Sequence, residues 1–513
     1  MRAISLGLAA VWATGLTSAA FAFDMEVIGR YETGVFDEGA AEITAFDRDG
    51  RQLFVANGHD DVIDILDIAD PEQPEKTGTL DISEYGAAPN SVAISADGIV
   101  GIAVEAEDAQ ANGIAVFYTT DGNLVGAVEV GPLPDMITFT PDGQMALVAN
   151  EGEPNDDFTI DPNGSVSIIA MEDLSARTVD FTEIFPGDLD PTVHLPGPPD
   201  SEIIANLEPE YIAVTSDGAT ALVSLQENNA IAIIDIPEAR LAGVFGLGFQ
   251  DRSQIPFDPS DEDGGINIQT WPVFGLFQPD AIALFEQEDS LFIVTANEGD
   301  ARDYDGYSEE VRVADLTLDP EAFPNAAELQ APEALGRLKV TTAMGDYDGD
   351  GDHEEIVAFG GRSMSIYEVD VQAGFGQQVF DSGSDIEERT ADLYPNWFNS
   401  EGTIEGFDTR SDDKGPEPEG VAIGEIDGVR YAFVGLERIG GIAVYDISSP
   451  RSATWVGHFH AGIPDGDPEA GTAGDIAPEG LTFIAGEDSP TGVPLLVVAN
   501  EVSGTVAIWD VRP

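Results

Sequence analysis

Short apolar runs alternate with tight turns and polar loops along most of the chain. The stretch Gly406–Ile447 shows the unit: a charged loop ends in PEPEG, and two apolar runs follow, joined by an Asp-Gly turn. A second charged loop, Glu437–Gly441, precedes a third apolar run. Apolar runs with β-branched residues joined by Asp-Gly are typical of β-hairpins. The pattern predicts an all-β, antiparallel protein.

The same unit recurs along the chain, and each copy opens with an acidic residue or Asn at the start of its first strand. These opening residues are Glu42, Asn90, Asp135, Glu210, Asp280, Glu419 and Glu479. Most copies continue through three further strands, and four-stranded units repeated around an axis form a β-propeller. We expect eight blades, with seven as the alternative because Gly299–Ala358 fits the pattern poorly. The strand Glu26–Thr33 is predicted to complete the last blade and close the ring.

Long insertions fall in connections that lie on one face of the predicted propeller. They precede a first strand or join a second strand to a third, and both connections lie on the same face of a propeller blade. They are Glu151–Gly164, Pro186–Leu207, Phe249–Gln278, Gly299–Ser308 and Ile386–Pro418. The acidic turn Asp346–Glu354 is instead expected on the opposite face. Insertions on one face of a repeat protein indicate a binding face.

Charge and composition narrow the possible partners and the location. The 513 residues include 97 acids and 20 bases, for a net charge of -77, and no cysteine. Such a chain repels nucleic acid and anionic membranes. Residues 1–22 resemble a secretory signal peptide, with Arg2 before an apolar run and Ala20-Phe21-Ala22 as the cleavage pattern. No later run reaches transmembrane length. We expect residues 23–513 to form one propeller, periplasmic or extracellular, monomeric and without an anchor.

The opening residues predict a ring of carboxylates at the mouth of the central channel. Like charges in a partly buried funnel either raise each other's pKa or recruit cations. Alternatively, the acids only accept hydrogen bonds from backbone N–H groups between blades. The residues predicted as metal ligands from this ring are Glu210, Asp280, Glu419 and Glu479.

The loops between second and third strands add a second set of acids on the same face. They contain Asn-Glu or similar pairs, and the predicted ligands are Glu151, Glu227, Glu298 and Glu501. Oxygen ligands without cysteine or many histidines favour Ca²⁺, with Mg²⁺ or another hard divalent or trivalent metal as alternatives. Solvation of loops in a very acidic protein is the other interpretation.

Several of the few bases fall in loops of the predicted binding face. They are Arg302, Arg362, Arg410, Lys414 and Arg438. Guanidinium groups bind phosphate and carboxylate through paired hydrogen bonds. The four arginines are therefore candidate catalytic residues for a small anionic substrate, and salt bridges that stiffen the loops are the alternative.

The acidic turn resembles part of a calcium-binding loop. Its candidate ligands are Asp346, Asp348, Asp350, Asp352 and Glu354, with Gly351 at the sixth position. Position 12 is Val357 instead of Glu, so the loop is not a complete EF-hand. A calcium ion there would be structural.

Several motifs together resemble the choice-of-anchor I family of secreted bacterial propeller proteins. They are NEGEPN at 150–155, EPEYIAV at 208–214, QENNA at 226–230, NEGDAR at 297–302, SDDKGPEPEG at 411–420, GLERIGG at 435–441 and VANEVSGT at 498–505. Some relatives are described as atypical alkaline phosphatases, so the resemblance implies a phosphatase activity. It implies no particular catalytic residue.

The residues and the resemblance together lead to one preferred function. We expect a secreted, calcium-dependent phosphoester hydrolase with its metal site at the channel mouth. One alternative is a non-catalytic binding or adhesion propeller stabilised by calcium. Another is a metal-dependent lactonase or esterase, because a bound metal can also polarise a carbonyl.

Overall fold

Seven four-stranded antiparallel sheets form the blades of a β-propeller in the computed structural model, which describes residues 23–185, 187, 189–198 and 201–513. The predicted signal peptide, residues 1–22, lies outside the described residues. Blades 1 to 3 contain the strands Thr44–Asp47, Gln52–Asn57, Val62–Asp67 and Glu75–Asp81; Pro89–Ile94, Ile99–Val104, Asn112–Thr119 and Leu124–Pro132; Pro134–Phe139, Met145–Asn150, Ser165–Ala170 and Ser175–Val179.

The remaining four blades follow in chain order. Blades 4 to 7 contain the strands Pro209–Val214, Thr220–Leu225, Ala230–Asp235 and Arg240–Gly246; Ile282–Gln287, Ser290–Asn297, Ser363–Asp370 and Phe375–Asp381; Pro418–Ile426, Val429–Leu436, Ile442–Asp446 and Thr454–Phe459; Pro478–Ile484, Leu495–Asn500, Thr505–Arg512 and Asp24–Glu32. The first strands contact one another in a closed circle, from blade 1 to blade 7 and back to blade 1.

The expected count of eight blades is therefore wrong, and the alternative of seven is correct. The stretch Gly299–Ala358 builds no blade, because residues 298–362 form one long connection between the second and third strands of blade 5. With residues 247–281 it forms a mixed five-stranded sheet, whose strands are Phe249–Asp251, Phe274–Leu276, Val357–Ala358, Lys339–Thr341 and Glu310–Arg312. A hairpin and short helices complete the insertions: Asp303–Tyr304 with Tyr307–Ser308, and Ile203–Ala205, Val313–Asp315, Ala326–Leu329, Pro332–Gly336, Asp385–Leu393 and Ile404–Gly406.

The two ends of the chain meet in blade 7, as the pattern predicted. Asp24–Glu32 pairs antiparallel with Thr505–Arg512, so the first strand of the described chain is the outermost strand of the last blade. Arg30 adds a bidentate ion pair with Asp475, with both nitrogen–oxygen distances at 2.7 Å. This pairing closes the ring through backbone hydrogen bonds.

Burial follows position within each blade. Second and third strands are almost entirely buried because neighbouring blades cover both of their faces, as in Gln52–Asn57 and Ala230–Asp235. Outer strands such as Glu75–Asp81 are mostly exposed. In blade 6 the first hairpin turns at Asp427-Gly428, where φ is 52° and 81°. Positive φ at both positions is the conformation that favours Asp-Gly in two-residue hairpins.

Candidate functional site at the channel mouth

Acids from several blades meet in one cavity at the end of the channel where the first strands begin. The cavity has a volume of about 220 Å³, and among the described residues that line it there are seven carboxylates and no Lys, Arg or His. The seven acids are Asp135, Glu151, Glu210, Asp280, Glu298, Glu419 and Glu479. Asn90 from blade 2 lies in the same lining. The chain therefore brings distant acids together around one pore.

A proline followed by a β-bulge places the ring residue in most blades. Proline directly precedes the ring residue in blades 2 to 7, at Pro89, Pro134, Pro209, Pro279, Pro418 and Pro478. The strand register shifts at this point in blades 2, 3, 4, 6 and 7. A bulge re-aims a side chain, and proline supplies no N–H to the ladder. The repeated proline-acid pair is the sequence signal that identifies the ring, and pattern analysis missed it.

The Asn of each Asn-Glu pair supports the turn, whereas the Glu points to the site. Asn150 Nδ2 donates to Ser165 and Ser167, and Asn297 Nδ2 donates to Ser363 Oγ and Ser365 Oγ. Asn500 repeats this arrangement in blade 7. With the Asn side chain holding the hairpin, the next residue is presented at the channel mouth. Glu151 and Glu298 line the cavity as a result, whereas Glu501, also predicted as a ligand, does not line it.

Three groups of three carboxylates in this region have oxygens close enough to share a cation. One of them, Glu298, Glu417 and Glu437, is already paired with Lys414, Arg410 and Arg438, and the other two are free of such a cluster of bases among the described residues. Of these two, the first triad is Glu151, Glu210 and Glu227, and the second triad is Asp280, Glu298 and Glu419. In each triad, one oxygen per residue lies within 4.8 Å of the others. Gln226 Nε2 donates to Glu298 Oε2 at 2.7 Å. Because Gln226 directly precedes Glu227, this bond links the loop of the first triad to the second triad.

The ring carboxylates do not satisfy backbone N–H groups. Among the described residues, no backbone N–H donates to the side chains of the six ring acids from Glu42 to Glu479. Buried oxygens of Glu210, Glu227, Glu419 and Glu479 have no hydrogen-bond partner. An unpartnered buried carboxylate oxygen is costly, because burial removes its water without replacement. The donor set is therefore chemically suited to hard cations such as Ca²⁺.

Burial and mutual repulsion raise the pKa of these acids. Burial first, and then the charges of Glu501 and Asp135, raise the pKa of Glu42 to about 8. Burial raises the pKa of Asp135 to about 7, with Glu153 adding to the effect. Burial, followed by Glu298, raises the pKa of Asp280 to about 8. The same causes raise the pKa far above its ordinary value for Glu151, Glu210, Glu227, Glu419 and Glu479.

A cationic cluster borders the second triad. Glu417, fully buried, accepts hydrogen bonds from Arg410 at 2.6 Å and from Arg438 at 2.9 Å. Lys414 Nζ lies 2.8 Å from Glu298 Oε1 and 3.6 Å from Glu417 Oε2. Burial would raise the pKa of Glu417, but the charges of Lys414, Arg438 and Arg410 lower it to about 2. We call these three bases with Glu417 the basic rim.

The predicted arginines differ in accessibility. The Arg438 side chain is 31% exposed and that of Arg410 is 16% exposed. Arg302 is fully buried, paired with Glu208 and stacked over Phe158. Arg362 is also buried and donates to Glu387, at 2.8 Å, and to several backbone carbonyls. Neither Arg302 nor Arg362 lines the cavity, so the geometry assigns both to holding loops together.

The acidic turn lies elsewhere than predicted. Asp346–Glu354 belongs to the insertion between the second and third strands of blade 5, not to a hairpin on the opposite face. Its acids accept bonds from their own loop: Asp346 accepts from the N–H of Gly349 at 2.7 Å and of Gly351 at 3.0 Å. Oxygens of Asp346, Asp348, Asp350 and Glu354 approach within 4.8 Å of each other, as do those of Asp319, Asp352 and Glu354.

Known proteins resemble this chain in sequence and in fold. Gigasin-3a of Magallana gigas is 33% identical over 195 residues, which cover 36% of this chain and 67% of that protein. The mesenchyme-specific cell surface glycoprotein of Strongylocentrotus purpuratus is 30% identical over 280 residues, or 48% of this chain and 35% of the glycoprotein. The chain thus matches only about a third of the glycoprotein's length.

Solved propellers are more distant. Hydrazine synthase of Kuenenia stuttgartiensis has a TM-score of 0.49 and 13% identity, covering 93% of this chain and 98% of that chain. The β-propeller domain of Cps50 (Swd1) of Myceliophteria_thermophila has a TM-score of 0.44 and 10% identity, covering 94% of this chain and 100% of that chain. Within the described part of the chain, no helix has the length and apolarity needed to cross a bilayer.

A family model adds the more specific result. The model of the choice-of-anchor I domain matches residues 42–450, which include six of the seven ring positions and the basic rim. The chain belongs to the choice-of-anchor I domain family.

Proposed function

We propose that this protein is a secreted, calcium-dependent hydrolase that cleaves small phosphoesters at the channel mouth. One observation carries the proposal: seven carboxylates line a cavity of about 220 Å³ beside a rim of three bases. Carboxylates at this density repel one another unless cations lie between them. The adjoining bases are suited to an anionic substrate.

The two triads are the residues that would hold cations. Their free oxygens, such as Glu210 Oε2 and Glu419 Oε2, provide hard ligands from residues that line the same cavity. A bound cation would polarise the phosphoryl oxygen and lower the pKa of a water molecule. Ca²⁺ is our first choice because it accepts irregular sets of carboxylate oxygens, and Mg²⁺ or another hard metal is the alternative.

The basic rim would bind and orient the substrate anion. Arg438 is the most accessible of the predicted cationic residues, and Glu417 holds its Nε at 2.9 Å, which fixes the plane of the guanidinium. Lys414 and Arg410 lie around the same carboxylate. Their positive charge would stabilise the charge that develops on the transferring phosphoryl group. The small cavity limits the part of the substrate that enters to a phosphoryl group and its nearest atoms.

The cellular location and the loop calcium belong to the same proposal. The predicted signal peptide and the cell-surface name of one relative support export to the periplasm or the exterior. Extracellular calcium is abundant enough to fill weak sites. The Asp346–Glu354 loop would then hold a structural calcium ion, distinct from the channel mouth.

The test is hydrolysis of p-nitrophenyl phosphate by the purified mature protein, before and after EDTA and with Ca²⁺ or Mg²⁺ restored. We expect EDTA to reduce the rate by about 100-fold or more, and added metal to restore it. Glu210→Gln should abolish turnover by removing a cation ligand. Arg438→Ala should mainly raise KM, because it removes a contact to the anion. Glu172→Gln, an exposed acid in a blade 3 turn, is the matched control.

A non-catalytic role is the second candidate, supported by the name of the surface glycoprotein relative. A calcium-stabilised binding propeller would raise its melting temperature with Ca²⁺ but hydrolyse nothing. The same assay should include a lactone and a carboxylic ester, since the metal site alone would serve those substrates. Hydrolysis of the esters without any phosphatase activity would replace our proposal with the lactonase or esterase alternative.

A further inference from the structure

The two carboxylate triads differ in what surrounds them. In the first triad, the side chains of Glu151, Glu210 and Glu227 have no Lys, Arg or His within 4.0 Å among the described residues. In the second triad, Glu298 already contacts Lys414 through Oε1 and Gln226 through Oε2. Within the described chain, the first triad therefore makes no ion pair of its own, since Arg302, whose charge acts on Glu227, is paired with Glu208. The second triad, by contrast, has a lysine of its own.

The first triad contains two buried oxygens without a hydrogen-bond partner in the described part of the chain, and the second triad contains one, Glu419 Oε2. Glu227 is 3% exposed and Glu210 is 8% exposed, and Oε2 of each lacks a hydrogen-bond partner. Glu210 lines the cavity, so its free oxygen lies at the space that a cation would fill. Since no protein group neutralises these side chains, a cation satisfies them better than any alternative in the described chain.

Two insertion loops are braced against each other beside the first triad. Tyr304 donates to Glu153 at 2.8 Å, and the Gly306 N–H donates to the Asp156 carbonyl at 2.8 Å. The Phe158 ring packs edge-on against Tyr304 and Tyr307. Glu153 follows Glu151 by two positions, so the brace restricts movement of the loop that carries this ligand.

Below the brace, a buried ion pair restrains the second ligand of the triad. Arg302 pairs with Glu208, which precedes Glu210 by two positions. The Arg302 guanidinium also lies 5.8 Å from the centre of the Phe158 ring. The second triad borders the basic rim, where Arg438 and Lys414 are partly exposed. The first triad is thus enclosed by restrained loops, whereas the second triad lies beside partly exposed side chains.

We propose that the first triad is a permanent cation site and the second is an exchangeable one next to the substrate anion. This inference rests on the proposed metal-dependent function and deepens it. The cation at Glu151, Glu210 and Glu227 stabilises the assembled mouth and leaves only on large loop opening. The cation at Asp280, Glu298 and Glu419 exchanges with solvent. When this cation leaves, the charge of Lys414 still balances part of the negative charge of the triad.

Calcium retention tests this assignment without substrate. The full mature chain carries Glu354→Gln in all samples, because Glu354 is the one carboxylate shared by both acid groups of the exposed loop, so that the loop contributes no calcium. Each sample is saturated with Ca²⁺, passed briefly over a chelating resin and analysed for calcium by mass spectrometry. We expect about one retained Ca²⁺ per chain in this background and with Glu298→Gln added. With Glu227→Gln or Glu210→Gln added, we expect none.

Each possible outcome decides the matter. Equal retention in Glu227→Gln and Glu298→Gln, or no retained calcium in any sample, overturns the assignment. Circular dichroism identifies a variant that fails to fold, and the Glu210 and Glu227 variants serve as replacements for each other. Because retention is measured without substrate, a protein that hydrolyses no phosphoester can still support or refute the two-site assignment.

Discussion

Two acid-rich regions of this protein use the same residue types in opposite ways. In the Asp346–Glu354 loop, the acids accept hydrogen bonds from the loop's own backbone, and all are exposed or half-buried. At the channel mouth, the acids are buried or half-buried, accept no backbone N–H from the described part of the chain and leave several buried oxygens unpartnered. A cluster of acids is therefore weak support for a cation unless burial makes its charge costly.

The largest expected change in stability follows substitution of Glu417, a buried acid that already has basic partners. Glu417→Gln removes the charge that balances Lys414, Arg410 and Arg438, and breaking such a buried network should lower the free energy of unfolding by about 3 kcal/mol. Denaturant unfolding measures this loss. Glu354→Gln in the exposed loop is the matched control and should change stability by less than about 0.5 kcal/mol. Equal effects would remove the distinction between the two regions.

The pH dependence of stability should come from the mouth and not from the loop. Glu42, Asp135 and Asp280 have a raised pKa in the folded chain, of about 7 or 8. The folded state therefore holds protons that the unfolded state releases above about pH 4, so the metal-free protein should lose stability as pH rises to about 8.

Thermal unfolding in EDTA, followed from about pH 5 to pH 8, checks this direction. A melting temperature that falls by several degrees is expected, and saturating Ca²⁺ should flatten the profile because cations replace the protons. A flat profile in EDTA would mean that the ring acids are ionised at no cost in the folded protein.

A smaller effect is expected from the brace beside the first triad. Tyr304→Phe removes the 2.8 Å hydrogen bond to Glu153 but keeps the ring contact with Phe158. The loss should be about 1 kcal/mol of unfolding free energy, with faster release of Ca²⁺ in a stopped-flow chelation experiment. Tyr347→Phe, which removes a similar bond to Glu355 in the acidic loop, is the comparison and should leave mouth calcium release unchanged.

The smallest effect should follow a change in the loop itself. Asp350→Asn reduces the charge of an exposed cluster, so in calcium-free buffer the melting temperature should stay within about 1 °C. In saturating Ca²⁺ the variant should gain less stability than the wild type if the loop binds the ion. Phosphatase activity should be unchanged. An identical calcium response in both proteins would show that the loop holds no ion.

The repeating fold was predictable from sequence because the signal is periodic. Each opening acid or Asn marked one blade, and the seven openings agree with the seven observed blades. The count of eight came from treating Gly299–Ala358 as a poorly patterned blade. Those residues pair with Phe274–Leu276 from another insertion, a non-local pairing that no local alternation reveals.

The ring was predictable in position, but the roles of the bases were not. Carboxylates at equivalent positions of successive blades must converge, so Glu210, Glu419 and Glu479 could be placed before any coordinates. Sequence does not show which arginine is covered. Arg362 and Arg438 both lie in charged loops, yet one is buried against Glu387 and the other is 31% exposed.

The pairing of Asp24–Glu32 with Thr505–Arg512 also sets the order of events during biogenesis. Asp24–Glu32 is synthesised first and its partner Thr505–Arg512 last, so the first strand has no partner in the sheet until synthesis is nearly complete. An unpaired strand edge invites association with other chains. Closure of the ring immediately after synthesis would limit the time for which this edge is exposed.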